Sequence, residues 1–329
     1  MKHLIICALF LISCFKEDEK LSPQTNSIKD SLSTATIALT QDYKYQIFYS
    51  LSKNQSVKTV LKSDWDLAFE SSETGLSLML NTARFMKAAN TGSVDFDNIK
   101  SWTAYNFYFD GASGVKDSMA VKGWFFISGA DTTFSKNVFI IDLGIDEKGA
   151  ALGFKKIIFE TYKNNVYKFQ YSNLDNSELK SFSISKDKLY NYVYFSFAGG
   201  GKQILIEPPK KNWDLLFTQY STYLSLNGLP YPYLVTGVFI NNYNTYAKKI
   251  NNCDFDKLSL ADTVALSPLR NVIGFDWKVY DRNNNKYTVL PGISYIIKSS
   301  DNTCYKLYFT RFYNDNGEKG FPSFKFIQL

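Results

Sequence analysis

The stretch Trp65-Asp66-Leu67-Ala68-Phe69 decides the fold class, because its three large apolar residues occupy every second position. A period of two is typical of a β-strand with one buried face and one polar face. Nearly the same stretch returns in the second half of the chain as Trp213-Asp214-Leu215-Leu216-Phe217. A recurrence on this scale indicates a repeated domain and not the short repeat of a solenoid.

Further landmarks recur in the same order and support a duplication. An aromatic-serine run precedes each stretch, and an Asp-Phe-Asp triplet and an apolar run after a lysine also occur twice. The pairs are Phe48-Tyr49-Ser50 with Tyr194-Phe195-Ser196, Asp95-Phe96-Asp97 with Asp254-Phe255-Asp256, and Lys156-Ile157-Ile158-Phe159 with Lys306-Leu307-Tyr308-Phe309. The sequence therefore predicts two tandem antiparallel β-sheet modules related by internal duplication, over residues 39–184 and 185–329.

Alternation of apolar and polar residues continues along most of the chain, with turn residues between the runs. Residues 307–313 and 324–327 are predicted to form a closing hairpin around Asn314-Asp315-Asn316-Gly317. Helical periodicity is confined to 262–272, where Pro268 interrupts it. We predict an all-β or nearly all-β protein.

The N-terminus has the features of an export signal. Lys2 and His3 precede a short apolar run over 4–12, which ends in Leu11-Ile12-Ser13-Cys14. This ending resembles the bacterial lipoprotein signal, in which the cysteine is acylated after cleavage. It predicts a signal peptide over 1–13 and lipidation of Cys14, with a plain secretory signal as the alternative.

The residues after Cys14 resemble a tether. The run Lys16-Glu17-Asp18-Glu19 is similar to the surface-export signal of Bacteroidota lipoproteins, and residues 14–38 are predicted to form a flexible leash. No later apolar run is long enough to span a bilayer. We therefore expect attachment to the outer membrane through the lipid alone, with the folded part facing the cell exterior.

Composition excludes several functional classes. The aromatic content of 17% favours strands, and the net charge of +6 comes from scattered lysines, so no nucleic-acid partner is expected. The single histidine, His3, lies in the predicted signal peptide, which excludes histidine-dependent nucleophiles and zinc motifs. A carboxylate pair of the glycosidase kind stays open, but Asp66 and Asp214 occupy matched positions and are expected to bond neighbouring turns. We predict that the protein is not an enzyme.

Two cysteines remain after the predicted signal and anchor. Cys253 and Cys304 both belong to the second module, and the matching positions of the first module hold Val94 and Phe154. Their joint presence in one module makes a disulfide a candidate, and the predicted compartment permits it. Two unrelated thiols are the alternative.

The second half of the chain resembles the HmuY family of Bacteroidota lipoproteins, most strongly over 188–329. The likeness rests on a small set of motifs, of which the last two are the most specific. They are 192–197, Trp213-Asp214-Leu215-Leu216-Phe217-Thr218, 233–238, the run 305–314, and Gly317-Glu318-Lys319-Gly320-Phe321-Pro322. The resemblance implies an all-β fold, a surface-anchored lipoprotein, haem as cofactor, and transfer of haem to a TonB-dependent outer-membrane receptor.

Members of that family hold haem iron between two axial side chains, which are histidines in some and methionines in others. The predicted mature chain has no histidine, so the thioether candidates are Met79, Met86 and Met119. Met79 shares a predicted strand face with Ser77 and Asn81, opposite the leucines. Each methionine has an alternative role as filler of a core gap.

Two functions follow from these observations. The first is a surface lipoprotein that binds haem and delivers it to an outer-membrane receptor. The second is a non-enzymatic lipoprotein that has lost haem ligation and binds a glycan or a protein through its abundant tyrosine and tryptophan rings.

Overall fold

The computed structural model describes residues 31–129 and 131–329, and the predicted signal peptide, Cys14 and most of the tether lie outside them. The strands of the described part are, in chain order, β1 Ser33–Thr36, β2 Tyr45–Ser50, β3 Gln55–Leu61, β4 Leu67–Glu70, β5 Leu78–Leu80, β6 Lys87–Asn90, β7 Phe125–Ser128, β8 Asp131–Phe134, β9 Val138–Asp142, β10 Phe154–Lys163, β11 Val166–Ser172, β12 Lys180–Ser185, β13 Tyr192–Ser196, β14 Lys202–Ile204, β15 Leu215–Leu226, β16 Leu229–Ile240, β17 Tyr246–Ile250, β18 Lys278–Asp281, β19 Lys286–Val289, β20 Ser294–Lys298, β21 Cys304–Tyr313 and β22 Lys319–Gln328.

The helical segments of the described residues are single 3₁₀ turns, so the all-β prediction is confirmed. These turns are Thr82–Arg84, Lys116–Ser118, Ala198–Gly200, Phe255–Lys257 and Leu260–Asp262. The helix considered over 262–272 does not form, because Pro268 provides no amide proton for it. Within the described part of the chain, no helix is long and apolar enough to cross a membrane.

Four larger antiparallel sheets stack into four layers. We call the sheets β12-β11-β10-β9-β6 and β14-β13-β4-β5 the first lobe, and the sheets β1-β22-β21-β20-β17 and β16-β15-β2-β3 the second lobe. Each lobe encloses its own apolar core between its two sheets. A third core lies between the two four-stranded sheets and joins the lobes. The hairpins β7–β8 and β18–β19 lie outside these sheets.

The four-stranded sheets are buried on both faces, which follows from the alternation in their sequences. In β4, Leu67 and Phe69 enter the core of the first lobe, whereas Ala68 between them enters the core between the lobes. In β15, Leu215 and Leu216 divide in the same way between the core of the second lobe and the core between the lobes. The alternation predicted strands with one buried face and one polar face. In the structure both faces are buried, and alternate residues enter two different cores.

Each lobe contains strands from both predicted modules. Strand β13, from the second predicted module, pairs with β4, and Tyr194 lies opposite Ala68. Strand β2, from the first predicted module, pairs with β15, and Phe48 lies opposite Leu216. At one edge of the second lobe, β1 of the predicted tether pairs with β22 of the second predicted module. The predicted division at 184 and 185 is thus not a division between sheets.

Several contacts of the repeated landmarks match in the two lobes, although the indole of Trp65 donates to Gln46 and that of Trp213 has no partner among the described residues. Trp65 packs edge-to-face on Tyr194, and Trp213 packs edge-to-face on Phe48, with ring centroids 5.0 Å apart in both pairs. The ammonium groups of Lys156 and Lys306 each lie 4.7 Å from the ring centre of the phenylalanine in their own Asp-Phe-Asp triplet, which is Phe96 for Lys156 and Phe255 for Lys306. These matching contacts are what a duplication leads us to expect, and descent from one ancestral module stays a prediction.

Two buried asparagines fix the chain at the start of each repeated stretch. The Nδ2 group of Asn81 donates to the carbonyls of Lys62 and Trp65, and that of Asn241 donates to the carbonyls of Lys210 and Trp213. Each asparagine therefore satisfies backbone groups that would otherwise be buried without a partner.

Part of the predicted tether is folded. Residues 33–36 form β1, and the two following apolar side chains, Ile37 and Leu39, are buried in the core of the second lobe. The prediction of a flexible leash up to residue 38 is wrong for this part. The closing hairpin is confirmed, since β21 and β22 pair around the turn of 314–317.

Candidate functional site

The site nearest to the predicted ligands is a narrow cleft between the two four-stranded sheets, which we call the interlobe cleft. Its volume is about 30 Å³, and both lobes contribute to its walls. It is lined by Gln46, Phe48, Trp65, Met79, Leu80, Asn81, Thr82, Ala83, Asp110, Gly111, Ala112, Tyr194, Leu216, Thr218, Gln219, Phe239 and Arg270.

Met79 is the candidate that lines this cleft. It lies on β5 opposite Ala68, so it faces the core between the lobes, while Leu78 and Leu80 face the core of the first lobe. The prediction that Met79 points away from the leucines is therefore right, but the second lobe covers that face too, and Met79 is only 6% exposed.

The thioether of Met79 has a cationic neighbour. The Nη1 group of Arg270 lies 2.7 Å from the sulfur of Met79 and donates to it. The same guanidinium lies 4.0 Å from the centre of the Phe239 ring, an arrangement that attracts a cation to the ring face. Arg270 thus links the sulfur of the first lobe to an aromatic wall of the second.

The other two methionines do not line the cleft. Met119 belongs to the core between the lobes, at 4% exposure. Met86 lies in the short connection directly before β6, and its side chain is fully buried in the core of the first lobe. The preceding residue, Phe85, adopts a left-handed conformation, which turns the chain at that point.

Hydrogen bonds order the polar end of the cleft. The indole of Trp65 donates to Oε1 of Gln46, and the amide of Gln46 donates to the hydroxyl of Thr218, each over 2.9 Å. The ammonium of Lys62 donates to Gln219. Because both lobes supply members of this network, it holds the two four-stranded sheets in register.

A buried carboxyl group lies at the first-lobe side of the cleft. Asp110 accepts hydrogen bonds from the amides of Leu80 and Ala120, over 2.6 Å and 2.7 Å. Burial raises the pKa of Asp110 to about 6, against the opposing effects of these two amides and of Arg270.

A second buried carboxyl group, Glu207, lies beside the start of β13. It accepts from the amide of Tyr192 over 2.8 Å and from the side chain of Asn191. Burial raises the pKa of Glu207 to about 8, and it raises the pKa of the adjacent Tyr194 well above the ordinary value. The sequence around Asp110, Glu207 and Arg270 carries no motif, so sequence reasoning missed all three.

The structure does not bring the two cysteines together. Cys253 bonds to the carbonyl of Gly292, just before β20, whereas Cys304 pairs with Lys298 at the other end of β20. A disulfide needs Cα atoms within about 7 Å, a distance that the length of this strand exceeds. Both thiols are free, so the candidate disulfide between Cys253 and Cys304 does not form, and the structure agrees with the alternative of two unrelated thiols.

The matched aspartates have the structural role that their positions predicted. Asp66 accepts from the amide of Phe197, in the turn that follows β13. Asp214 accepts from the amide of Leu51, in the turn that follows β2. Among residues 31–129 and 131–329, no three His, Cys, Asp or Glu side chains are grouped as a metal site.

The donor chemistry of the cleft fits haem iron at one position. A thioether is a soft ligand that suits this metal, and Met79 presents its sulfur to the cleft. Tyr194 is a poor second ligand, because its raised pKa disfavours the phenolate. The cleft is much smaller than the pockets of several hundred Å³ that hold ligands of this size, so admission of a porphyrin requires the lobes to separate.

The comparisons with known proteins agree with the resemblance seen in the sequence. The model of the HmuY protein family matches residues 42–185. The resemblance to the HmuY family is therefore shown, although the match falls on the first half of the chain and not on 188–329. A search of curated proteins found no match.

Three solved structures align along most of the chain. A protein of Bacteroides vulgatus described as HmuY-like and haem-binding shares 12% identity over 90% of this chain and 91% of its own, with a TM-score of 0.25. The apo HmuY analogue of Tannerella forsythia shares 11% identity over 92% of this chain and 98% of its own, with a TM-score of 0.26. Apo PinO, described as from Porphyromonas gingivitis, shares 10% identity over 91% of this chain and 97% of its own, with a TM-score of 0.27. Scores of this size carry no argument about function.

Proposed function

We propose that this chain is a surface-anchored, non-enzymatic lipoprotein that binds haem and passes it to a TonB-dependent outer-membrane receptor. The family match over 42–185 supports the class of ligand. The observation that carries the proposal within the structure is the position of Met79, whose sulfur lines the interlobe cleft. The anchor at Cys14 and the position at the outer membrane are parts of the same proposal.

The residues around the cleft assign a role to Arg270. When bound, haem iron would supply a metal centre that accepts a soft ligand, and Met79 is the side chain placed to provide sulfur. The sulfur now accepts a hydrogen bond from Arg270, which competes for the same lone pairs. Arg270 therefore holds Met79 in place, and the sulfur would be available to iron only after this hydrogen bond is broken.

A haemin titration of the purified protein tests the proposal through the Soret band. We expect a saturable, red-shifted band for the wild type and its loss in Met79→Ala. Met86→Ala is the matched control, because Met86 is buried in the core of the first lobe and does not line the cleft. Its replacement should lower stability without changing the Soret band. A flat titration of the folded wild type would overturn haem binding.

The second candidate function is a surface lipoprotein that has lost haem ligation. The small volume of the cleft and the burial of Met86 and Met119 favour it. An unchanged Soret band in Met79→Ala, together with an equal response in all three methionine variants, would indicate unspecific association of haemin and would support this second function.

A further inference from the structure

Two adjoining hollows open at the end of the interlobe seam where β13 begins. One has a volume of about 120 Å³ and the other of about 320 Å³, and the rings of Tyr190 and Tyr192 line both. Together they have the size range of a small-molecule site. We call them the tyrosine groove. It is separate from the interlobe cleft, whose lining includes neither of these two tyrosines.

The apolar part of the groove consists of three tyrosine rings together with Val193, Ile204 and Leu205 in the larger hollow. Tyr190 and Tyr192 are half-buried, so part of each ring remains available to a ligand. Tyr243 lines the smaller hollow from the other side, and the ammonium of Lys210 lies 4.6 Å from the centre of its ring. Stiff rings of this kind supply contact area at a low cost in side-chain entropy.

The floor of the groove is held by buried polar groups. Asn191 donates to the buried Asn241 over 2.9 Å and to Glu207, which is 1% exposed. Glu207 also accepts from the amide of Tyr192. Because these partners are themselves fixed, Asn191 and Tyr192 are preorganised before any ligand arrives.

Hydrogen-bonding groups surround the rings. Asn242 donates to the hydroxyl of Tyr192 over 2.8 Å, which leaves its own carbonyl oxygen as an acceptor. Within the described part of the chain, the hydroxyl of Tyr190 and the ammonium of Lys210 have no hydrogen-bond partner. Gln203 is exposed at the rim of the larger hollow. The groove therefore offers both donors and acceptors next to apolar ring faces.

We propose that the tyrosine groove binds a neutral oligosaccharide. A sugar ring combines an apolar C–H face with hydroxyl groups at its edge, which matches tyrosine rings bordered by amides. The lining residues of the groove include the carboxylates of Glu70 and Asp187 as well as the ammonium of Lys210, so the lining has no surplus of cationic side chains to select an anionic ligand. The site is independent of haem.

Calorimetric titration of the purified protein with maltohexaose, cellohexaose and mannohexaose tests the proposal. We expect saturable binding of at least one of them and about tenfold weaker binding for Tyr190→Ala, which removes a stacking ring. Tyr190→Phe retains the ring and should lose only the contribution of its hydroxyl. Binding should be the same with and without haemin.

The control is Tyr280→Ala, an exposed tyrosine on the β18–β19 hairpin that lines neither hollow. Its affinity should equal that of the wild type, and the unfolding midpoints of all variants should agree. The proposal is overturned if no hexasaccharide saturates the folded protein, if Tyr190→Ala binds as well as Tyr280→Ala, or if an anionic hyaluronan hexasaccharide binds more tightly than the neutral sugars.

Discussion

Asp66 and Asp214 occupy the same position in the two repeated stretches but differ in their charge partners. Arg84 forms a salt bridge with Asp66, and both side chains are largely buried. No salt bridge forms at Asp214 within the described residues, where the main partner is the amide of Leu51. Burial raises the pKa of both aspartates, and at Asp66 this effect exceeds the opposing effect of Arg84.

Asp66→Asn is therefore expected to destabilise the protein more than Asp214→Asn does. The first substitution leaves Arg84 buried without its counter-ion, at a cost of about 3 kcal/mol. The second retains an oxygen for the amide of Leu51 and should cost about 1 kcal/mol or less. Urea unfolding curves measure both, and equal losses would contradict this difference.

Glu207 makes stability depend on pH. Its folded-state pKa of about 8 lies above the ordinary value of 4.5, so the folded state binds more protons between these values and stability falls as pH rises. The fall is up to about 5 kcal/mol and is absent below pH 4.5. Asp110 acts with the same sign up to about pH 6, and Lys278 with the opposite sign above about pH 7.

Comparison with Glu207→Gln isolates this contribution, because Asp110 and Lys278 titrate alike in both proteins. We expect the free energy of unfolding of the wild type to decrease relative to that of the variant between pH 5 and pH 8. Chemical denaturation at several pH values measures it. A constant difference across this interval would show that Glu207 is ionised throughout.

The methionines show what the sequence reveals about a single residue. Period-two alternation placed Met79 on the face opposite Leu78 and Leu80, and this was confirmed. Alternation defines faces but does not say what covers them, so the contact with Arg270, which lies far along the chain, could not be predicted. The burial of Met86 could not be predicted, because the left-handed turn at Phe85 has no glycine to indicate it.

At the scale of elements, local signals predicted turns well and edge strands poorly. The Asn-Gly pair at 316 and 317 correctly placed the hairpin between β21 and β22. Strand β1 escaped notice because its residues are small and polar, which is usual for an edge strand but also for a linker. The apolar pair of Ile37 and Leu39 was the available signal.

Ile37→Ala should therefore lower the free energy of unfolding by about 2–4 kcal/mol, since it opens a cavity in the core of the second lobe. Leu32→Ala is the matched control, because Leu32 is 43% exposed and its loss should change stability by less than about 0.5 kcal/mol. Thermal or urea unfolding separates the two. Equal stability of both variants would mean that β1 detaches in solution.

At the scale of the whole molecule, the landmarks predicted repeated units but not their interleaving. Repetition along the chain gives the order of strands, whereas the pairing of β2 with β15 and of β13 with β4 is a tertiary choice. Alternating patterns in both modules are equally compatible with either pairing. The same alternation of apolar and polar residues would therefore fit two tandem modules and also the observed lobes, each of which contains strands of both modules.

Because each lobe contains strands from both halves of the chain, we predict that neither half folds alone. A fragment of residues 31–176 lacks β13 as the neighbour of β4, and a fragment of 177–329 lacks β2 as the neighbour of β15. Each is expected to be unfolded by circular dichroism, and an equimolar mixture to recover strand structure and elute as a one-to-one complex. A cooperative unfolding transition in either isolated fragment would contradict it.

The antiparallel pairing of β1 with β22 has a consequence for orientation. Ser33 lies opposite Phe326, so the described chain starts and finishes at neighbouring points on one edge of the second lobe. With an acyl anchor at Cys14, the tether that leads to the lipid would leave the folded part at that edge. A fluorophore attached near residue 328 would then lie beside the point where the tether enters the fold.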